Sequence, residues 1–318
     1  MNSKDKIKQL RKIIEESLDS YIDRDYVFLD LPYHPNVGDT LIAMAAKNYL
    51  KRFPYKCLYY SSEFTFDNRE IPNDILIIFN GGGNFGDLWQ NYTDFRNSII
   101  RKYPQNRYLI LPQSVMYMDD KNLKADLNLF SSCPNITICA RDQQSFSFLK
   151  KHFVKNNILL VPDMAFYADD NVFPLSNKKG KILFLRRDDK EFVDSPKYSI
   201  VPRESEIHDW PTLEKTTIPY FVNSQILKIC NMIEKYINPK VAWKIRDLYW
   251  QKILHPYNVR SGFKFVGQYE TVYTTRLHVA IISVLLGKKI YFFDNSYHKN
   301  SALYNTWLQD ADNIQLVV

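Results

Sequence analysis

No stretch of the 318 residues reaches the uninterrupted apolar length of a transmembrane helix, so a membrane-spanning segment is not expected. The opening residues, MNSKDKIKQLRKIIEESLDS, lack the apolar core of a secretory signal. Cysteine is scarce: Cys57, Cys133, Cys139 and Cys230 form no CxxC pair and no zinc-ligand spacing. Reduced thiols in a cytoplasmic protein without a metal are the expectation. The first strand is not followed by GxGxxG, nor the next by the acidic residue a nicotinamide dehydrogenase would need. No zinc-finger or other reader pattern accompanies the scattered charges, which argues against nucleic acid as partner.

The formal charge is +7 and the sequence pI near 9.0, a balance that favours an anionic partner. A phosphorylated ligand and an anionic membrane surface both fit, and peripheral contact with the inner membrane face stays open. Aromatic residues are abundant, with 22 Tyr and 20 Phe. At that density most must serve core and strands, although some could line a sugar site.

The chain is organised around ILIIFNGGGNFGDLW, Ile75 to Trp89. Ile75–Phe79 reads as a buried parallel strand. Gly81, Gly82, Gly83, Asn84 and Asp87 follow in what reads as a turn between that strand and a helix, where backbone N–H groups can approach an anion.

Upstream, Ser3–Ser20 has helical periodicity, and Tyr26–Leu31 reads as the first strand. The loop PYHPNVGD then leads into a helix expected from about Thr40 to Leu50. Asp39 stands where an N-cap or first-turn carboxylate belongs, and Asn36 and Gly38 lie in the same loop. Downstream come a weak strand at Cys57–Tyr60, a helix from Tyr92 to Lys102, and strands at Arg107–Leu111, Ile136–Ala140 and Ile158–Val161. The strand tips carry Pro112, Gln113 and Ser114, then Arg141 and Asp142, then Pro162 and Asp163. Polar residues just beyond parallel strands lie where open α/β sheets bind ligands. Strand, polar tip and helix alternate without hairpin signals, which predicts a doubly wound α/β sheet.

Ala168–Lys181 reads as a connection between domains. A second set begins with Lys181–Leu185, tipped by Arg186, Arg187, Asp188 and Asp189. Lys190–Tyr220 has four prolines and no clear period. Helices are expected over Phe221–Tyr236 and Lys240–Ile253, Gly262–Gly267 is a glycine-bounded stretch, and Glu270–Thr274 is β-prone. A second focus, YTTRLHVAIISVLLGKKIYFFDN, spans Tyr273 to Asn295. It predicts a helix from Arg276 to Leu286, stopped by Gly287, and a strand at Ile290–Phe293. Arg276 and His278 stand at that helix start, where the macrodipole favours an anion. Arg offers a bidentate fork and His a proton near neutral pH. Asp294, Asn295, Tyr297, His298 and Lys299 form another polar tip. A last helix, Ser301–Leu308, is expected to return toward the first domain.

These segments together resemble the polysaccharide pyruvyl transferase family. The resemblance rests on HPNVGDTLI (His34–Ile42), FNGGGNFGDLW (Phe79–Trp89), ARDQQS (Ala140–Ser145), VPDMAF (Val161–Phe166), TTRLHVAIISVLLGKK (Thr274–Lys289) and the following FDNSYHKN. It implies two Rossmann-like α/β domains facing across a cleft in a GT-B-like arrangement: residues 1–175 on the acceptor side and 176–300 on the donor side, with 301–318 as a returning tail. The implied activity moves a pyruvyl group from phosphoenolpyruvate to sugar hydroxyls, forming a ketal in exopolysaccharide or cell-surface polymers, with no cofactor and no metal.

Carried onto this chain, the resemblance puts Arg276 as charge clamp and His278 as general acid or phosphate stabiliser. The NVGD segment and the glycine stretch fall on the opposite lip of the cleft. By the chemistry, Asp39 or Asp87 could accept the hydroxyl proton. Asn36, Gly38, Gly81, Gly82, Gly83, Asn84, Gln113, Thr275, Asn295 and Lys299 are candidate substrate contacts. Arg141 and Arg186 at strand tips are further candidates, equally open to structural ion pairs. Where relatives often carry aspartate before Arg-Leu-His, this chain has Thr275, which leaves the acceptor open: lipid-linked, nucleotide-linked or polymeric. A nucleotide-sugar glycosyltransferase and a non-catalytic carbohydrate-binding protein remain the competing readings.

Overall fold

The computed structural model describes residues 1–66, 70–173, 180–186, 195–213, 218–295 and 297–317. The first sheet is built from β1 (Tyr26–Leu29), β2 (Cys57–Tyr60), β3 (Leu76–Phe79), β4 (Gly82–Gly86), β5 (Arg107–Met116), β6 (Ile136–Ala140) and β7 (Asn157–Leu160). Its order is β2-β1-β3-β5-β6-β7, with β4 beside the far end of β5, and all the described pairings are parallel. The second sheet comprises β8 (Ile182–Leu185), β9 (Glu206–His208), β10 (Thr271–Thr274), β11 (Lys289–Phe293) and β12 (Ile314–Val317). Its order is β12-β11-β10-β8-β9, again parallel.

Apolar runs became central strands because helices cover both faces of a parallel sheet. In β1, Phe28 joins one apolar cluster while Val27 and Leu29 join another, as the two-residue side-chain period requires. The cluster holding Phe28 also takes in Leu10 and Ile14 of the helix Ser3–Leu18, and Leu183, Val272 and Ile290 of the second sheet. One apolar core therefore runs through both sheets.

Several elements differ from the sequence expectation. The helix expected near Thr40 starts at Val37, because Asn36 is its N-cap and accepts from the Gly38 N–H at 2.9 Å. Asp39 accordingly occupies the first turn.

The glycine stretch is the strand β4, and no helix begins at its end; the next helix is Gln90–Lys102. Gly86 explains why. Its φ is 111°, and a Cβ there would stand 1.8 Å from the Met116 carbonyl oxygen, so only glycine lets β4 run this close to β5. β5 itself continues past Pro112, whose missing N–H falls where the β5–β6 register shifts, between Ile110 and Gln113.

The glycine-bounded stretch Gly262–Gly267 is the end of one helix, His255–Gly267, which a π-helical turn at Trp250–Leu254 joins to Pro239–Tyr249. The C-terminal strand β12 escaped the sequence reading because IQLV at an edge carries little apolar signal.

Residues 301–308 do approach the first sheet: Trp307 Nε1 donates to the Arg141 carbonyl at 2.7 Å and Thr306 Oγ1 accepts from Gln143 N at 3.0 Å. Of the expected interdomain connection, 174–179 lies outside the described residues, as do Arg187, Asp188 and Asp189. All four cysteines are free thiols. No helix is long and apolar enough to cross a membrane among the described residues.

Candidate active site

The tips of β1 and β3, the start of the helix Val37–Leu50 and β4 form one wall of a cavity of about 420 Å³. The other wall comes from the start of the helix Leu277–Leu285 and the loop after β11. Both helices present their N-termini here, so both macrodipoles favour a bound anion.

The structure brings Asn36, Asp39, Gly81, Gly82, Gly83, Asn84, Arg141, Arg276, His278, Asn295 and Lys299 together on this cavity. A Cβ built on Gly83 would lie 3.3 Å from Arg141 Nη2 and 3.4 Å from Lys299 Nζ, so two cations converge on that backbone position. Asn295 Oδ1 accepts from the Lys299 N–H at 2.9 Å and shapes the loop that carries the lysine.

Other expected residues lie elsewhere. Asp87 is outside the cavity, and its carboxylate accepts from the backbone N–H of Met118 (2.7 Å) and Asp119 (2.8 Å), which makes it a loop anchor. Gln113 is buried within β5 and donates to the Asn80 carbonyl at 2.7 Å, behind the wall rather than at a free strand tip. Thr275 is also buried behind the lining, its carbonyl accepting from Asn300 Nδ2 at 2.8 Å. Arg186 follows β8 but does not line the cavity. Gly38 is not in the lining either. A Cβ there would come within 2.4 Å of His278 Nδ1, so its bare Cα makes room for the imidazole.

Three carboxylates that sequence reasoning did not single out as site residues organise the charges, Asp163 and Asp30 buried and Asp209 partly exposed. Asp163 is 1% exposed and accepts from Arg141 Nη1 at 2.8 Å and from the Ala165 N–H at 2.9 Å. Its Oδ2 also stands 3.4 Å from His278 Nε2. Burial opposes ionisation of Asp163, but His278, Arg141 and the amide together hold it well below the usual carboxylate range. Arg141 is further fixed through Nε by Ser114 Oγ, which in turn donates to Asp142.

Asp209 grips Arg276 through two oxygens, at 2.6 and 2.5 Å, the bidentate geometry guanidinium favours. Asp30 ends β1 in a left-handed conformation, φ 66°, and lines the cavity. Arg96 (3.3 Å) and Asn84 (3.4 Å) donate to its Oδ2, while Oδ1 meets no partner among the described residues. Burial raises this carboxyl above its ordinary range against the pull of Arg96, and Asp39 adds to the rise. The only sequence signal for Asp163 lay in VPDMAF, for Asp30 in the end of YVFLDL; Asp209 sat in an aperiodic stretch and had none.

Near Asp30, Glu63 is pushed up to about 7 from 4.5, first by burial and then by the charge of Asp30. A carboxyl raised on folding supports stability fully below its unfolded value and loses that support as pH rises through the folded one. Glu63→Gln should therefore flatten the fall in thermal midpoint between about pH 5 and about pH 8. Parallel melts of both proteins check this, and an unchanged pH slope would remove Glu63 as its cause.

Trp89, Tyr92 and Trp210 add aromatic surface to the cavity, suited to a sugar ring. No cluster of three or more His, Cys, Asp or Glu side chains is placed to hold a metal ion among the described residues.

The family model for polysaccharide pyruvyl transferases matches residues 36–297, which include most of the cavity lining but not Asp30, His34 or Lys299. A putative pyruvyl transferase of Bacillus subtilis, EpsO, is 30% identical over 100% of this chain and 96% of its own length. Pyruvyl transferase 1 of Schizosaccharomyces pombe is also 30% identical, over 91% of this chain and 72% of that one. A crystal structure of a functionally uncharacterised Klebsiella pneumoniae protein superposes with a TM-score of 0.67, covering 98% of each chain at 21% identity, and shows the same fold. The chain thus belongs to the polysaccharide pyruvyl transferase family and is a transferase.

Proposed function

We propose that the chain transfers the pyruvyl group of phosphoenolpyruvate to two hydroxyls of a sugar, forming a cyclic ketal during synthesis of an exopolysaccharide or cell-surface polymer. The observation that carries this reading is the convergence of Arg141, Arg276, His278 and Lys299 on one cavity that also holds Asp30 and Asp39. A small donor with a carboxylate and a phosphate needs such a compact cationic wall, and a hydroxyl acceptor needs a nearby base.

In this reading His278 protonates the donor methylene, and the first sugar hydroxyl attacks the adjacent carbon while its proton passes to a carboxylate. Asp39 is one candidate base. Asp30, with its raised affinity for a proton and an oxygen that meets no partner among the described residues, is the other. The second hydroxyl displaces phosphate and closes the ring, its proton leaving with the phosphate. Arg276, held rigid by Asp209, clamps the departing negative charge. The two walls correspond to acceptor and donor lobes of a GT-B-like arrangement, working in the cytoplasm without a cofactor. The acceptor is a sugar carried on a lipid, a nucleotide or a polymer.

A ligand-stability screen tests the donor: phosphoenolpyruvate, inorganic phosphate, uridine, guanosine and cytidine diphosphates, and cytidine monophosphate. Selective stabilisation by phosphoenolpyruvate, absent in Arg276→Ala, is expected. Selective stabilisation by one nucleotide would overturn the reading in favour of glycosyl transfer.

Gly38 gives a sharper check on His278. Alanine at 38 is a good helix former and the helix should persist, although a Cβ 2.9 Å from His278 Cβ, which turning the ring cannot relieve, should lower the thermal midpoint. Its Cβ must also displace the imidazole, so turnover is expected to fall roughly 10- to 100-fold. Steady-state kinetics beside a melt separate these effects, and unimpaired turnover would remove the imidazole position from the mechanism.

A further inference from the structure

The helices Ile218–Tyr236 and Pro239–Tyr249 form an antiparallel hairpin closed through Glu234, which accepts from Trp243 Nε1 (3.0 Å) and Arg246 Nη2 (2.7 Å). Its outer surface is unusually apolar. Phe221, Ile229, Met232, Tyr236, Ile245 and Leu248 are all exposed, Met232 at 60% and Leu248 at 63%. Their spacing puts 229, 232 and 236 on one helix, and 241, 245 and 248 on the other, along outward stripes.

Lysines accompany the stripes. Exposed Lys228, Lys235, Lys240, Lys244 and Lys252 each directly precede an exposed apolar residue: Ile229, Tyr236, Val241, Ile245 and Ile253. From 218 to 267 there are eight Lys or Arg and two acidic residues, so this segment carries +6 of the chain's +7. Both acidic groups are already paired: Glu234, 35% exposed, as above, and Asp247 by Tyr33 and Thr65, each at 2.6 Å.

We infer that this hairpin is a docking surface for an anionic lipid bilayer. Apolar side chains interleaved with lysine suit the boundary between acyl chains and anionic headgroups. A protein partner fits less well, because interface cores are depleted in lysine. A second copy of the chain would bring the same lysines face to face across a two-fold axis. The hairpin lies on the bilayer rather than through it, since no described helix is long and apolar enough to cross.

The surface also connects to the chemistry. An apolar pocket of about 280 Å³ at the hairpin's inner side, lined by Tyr33, Leu227, Trp250 and Leu254, shares His34 with the active-site cavity. Docking there would hold that cavity near membrane-borne substrate, and the surface stands whether or not phosphoenolpyruvate is the donor.

Vesicle co-sedimentation of the full chain tests this. Vesicles of phosphatidylcholine alone are compared with vesicles containing about one-third phosphatidylglycerol. The anionic vesicles are expected to bind the chain at least about tenfold more strongly, and raising NaCl from about 0.1 M to about 0.5 M should weaken this. Lys228→Gln/Lys235→Gln/Lys244→Gln should lower anionic binding by more than about tenfold. Ile229→Ser/Met232→Ser/Ile245→Ser should abolish binding that survives salt. Thermal midpoints near that of the parent would show that both variants fold, as expected for substitutions at exposed positions. Equal binding to both vesicle types, or variants that bind like the parent, would overturn the inference. So would a dimer in sedimentation analysis that the apolar variant dissociates and that forms in place of vesicle binding.

Discussion

Asp163→Asn is expected to cost about 3–5 kcal/mol of folding stability, because it removes the anion from a buried ion cluster and leaves Arg141 uncompensated. Arg141 and Asp163 side chains are 4% and 1% exposed, so water cannot take over the lost role. The carboxamide can still accept one hydrogen bond, but it cannot neutralise guanidinium and imidazole together. Denaturant unfolding of parent and variant checks this, and a loss below about 1 kcal/mol would mean the cluster contributes little net stability.

The sign with pH follows from the depressed carboxyl. Its contribution is fully present above the unfolded value near 3.9 and is lost as pH falls through the folded value. The parent should therefore lose stability in strong acid that the variant never had, and the two unfolding curves should converge there. Turnover should fall as well, since Asp163 stands beside the His278 imidazole.

Arg276→Ala is expected to weaken donor binding by roughly 2–5 kcal/mol, about 30-fold to several thousand-fold in Kd. The same change should leave the fold intact, because Arg276 pairs with an Asp209 side chain that is 21% exposed and can be hydrated once released. Lysine at 276 should recover little, since a point charge cannot reproduce the two parallel bonds to Asp209. Asp209→Asn is expected to lie between parent and Arg276→Ala, for it keeps the cation and loses its rigid seat. Calorimetric titration with phosphoenolpyruvate orders the series, and an Arg276→Ala protein that binds like the parent would remove Arg276 from the donor site.

Much of the site was legible where chemistry and local structure coincide. Arg276 and His278 begin a helix, Arg141 follows a buried strand, and Asn295 and Lys299 follow another; all five line the cavity. Local pattern failed where a residue type had two uses. Asp87 follows a glycine stretch like a ligand-binding carboxylate, yet two backbone amides take it as a loop anchor. Gln113 follows a proline that reads as a strand end, yet β5 absorbs Pro112 at a register shift and carries Gln113 into the core. Gly86 serves close packing of β4 on β5, which no reading of a glycine run by itself distinguishes from ligand approach.

The sequence by itself determined the parallel α/β character, because strands buried on both faces must be written as apolar runs and each run must be followed by a crossover. It also determined the family, through motifs whose spacing survives on one line of text. Only the tertiary structure decided how the cations are held. Asp163 meets Arg141 across 22 residues, Asp30 meets Arg96 across 66 and Asp209 meets Arg276 across 67. Such pairs have no local period, since a carboxylate's partner is chosen by distance in space and by exclusion of water. The same holds for the lysine-studded hairpin: its residues are ordinary helix formers in sequence, and only folding shows which of their faces the core leaves uncovered.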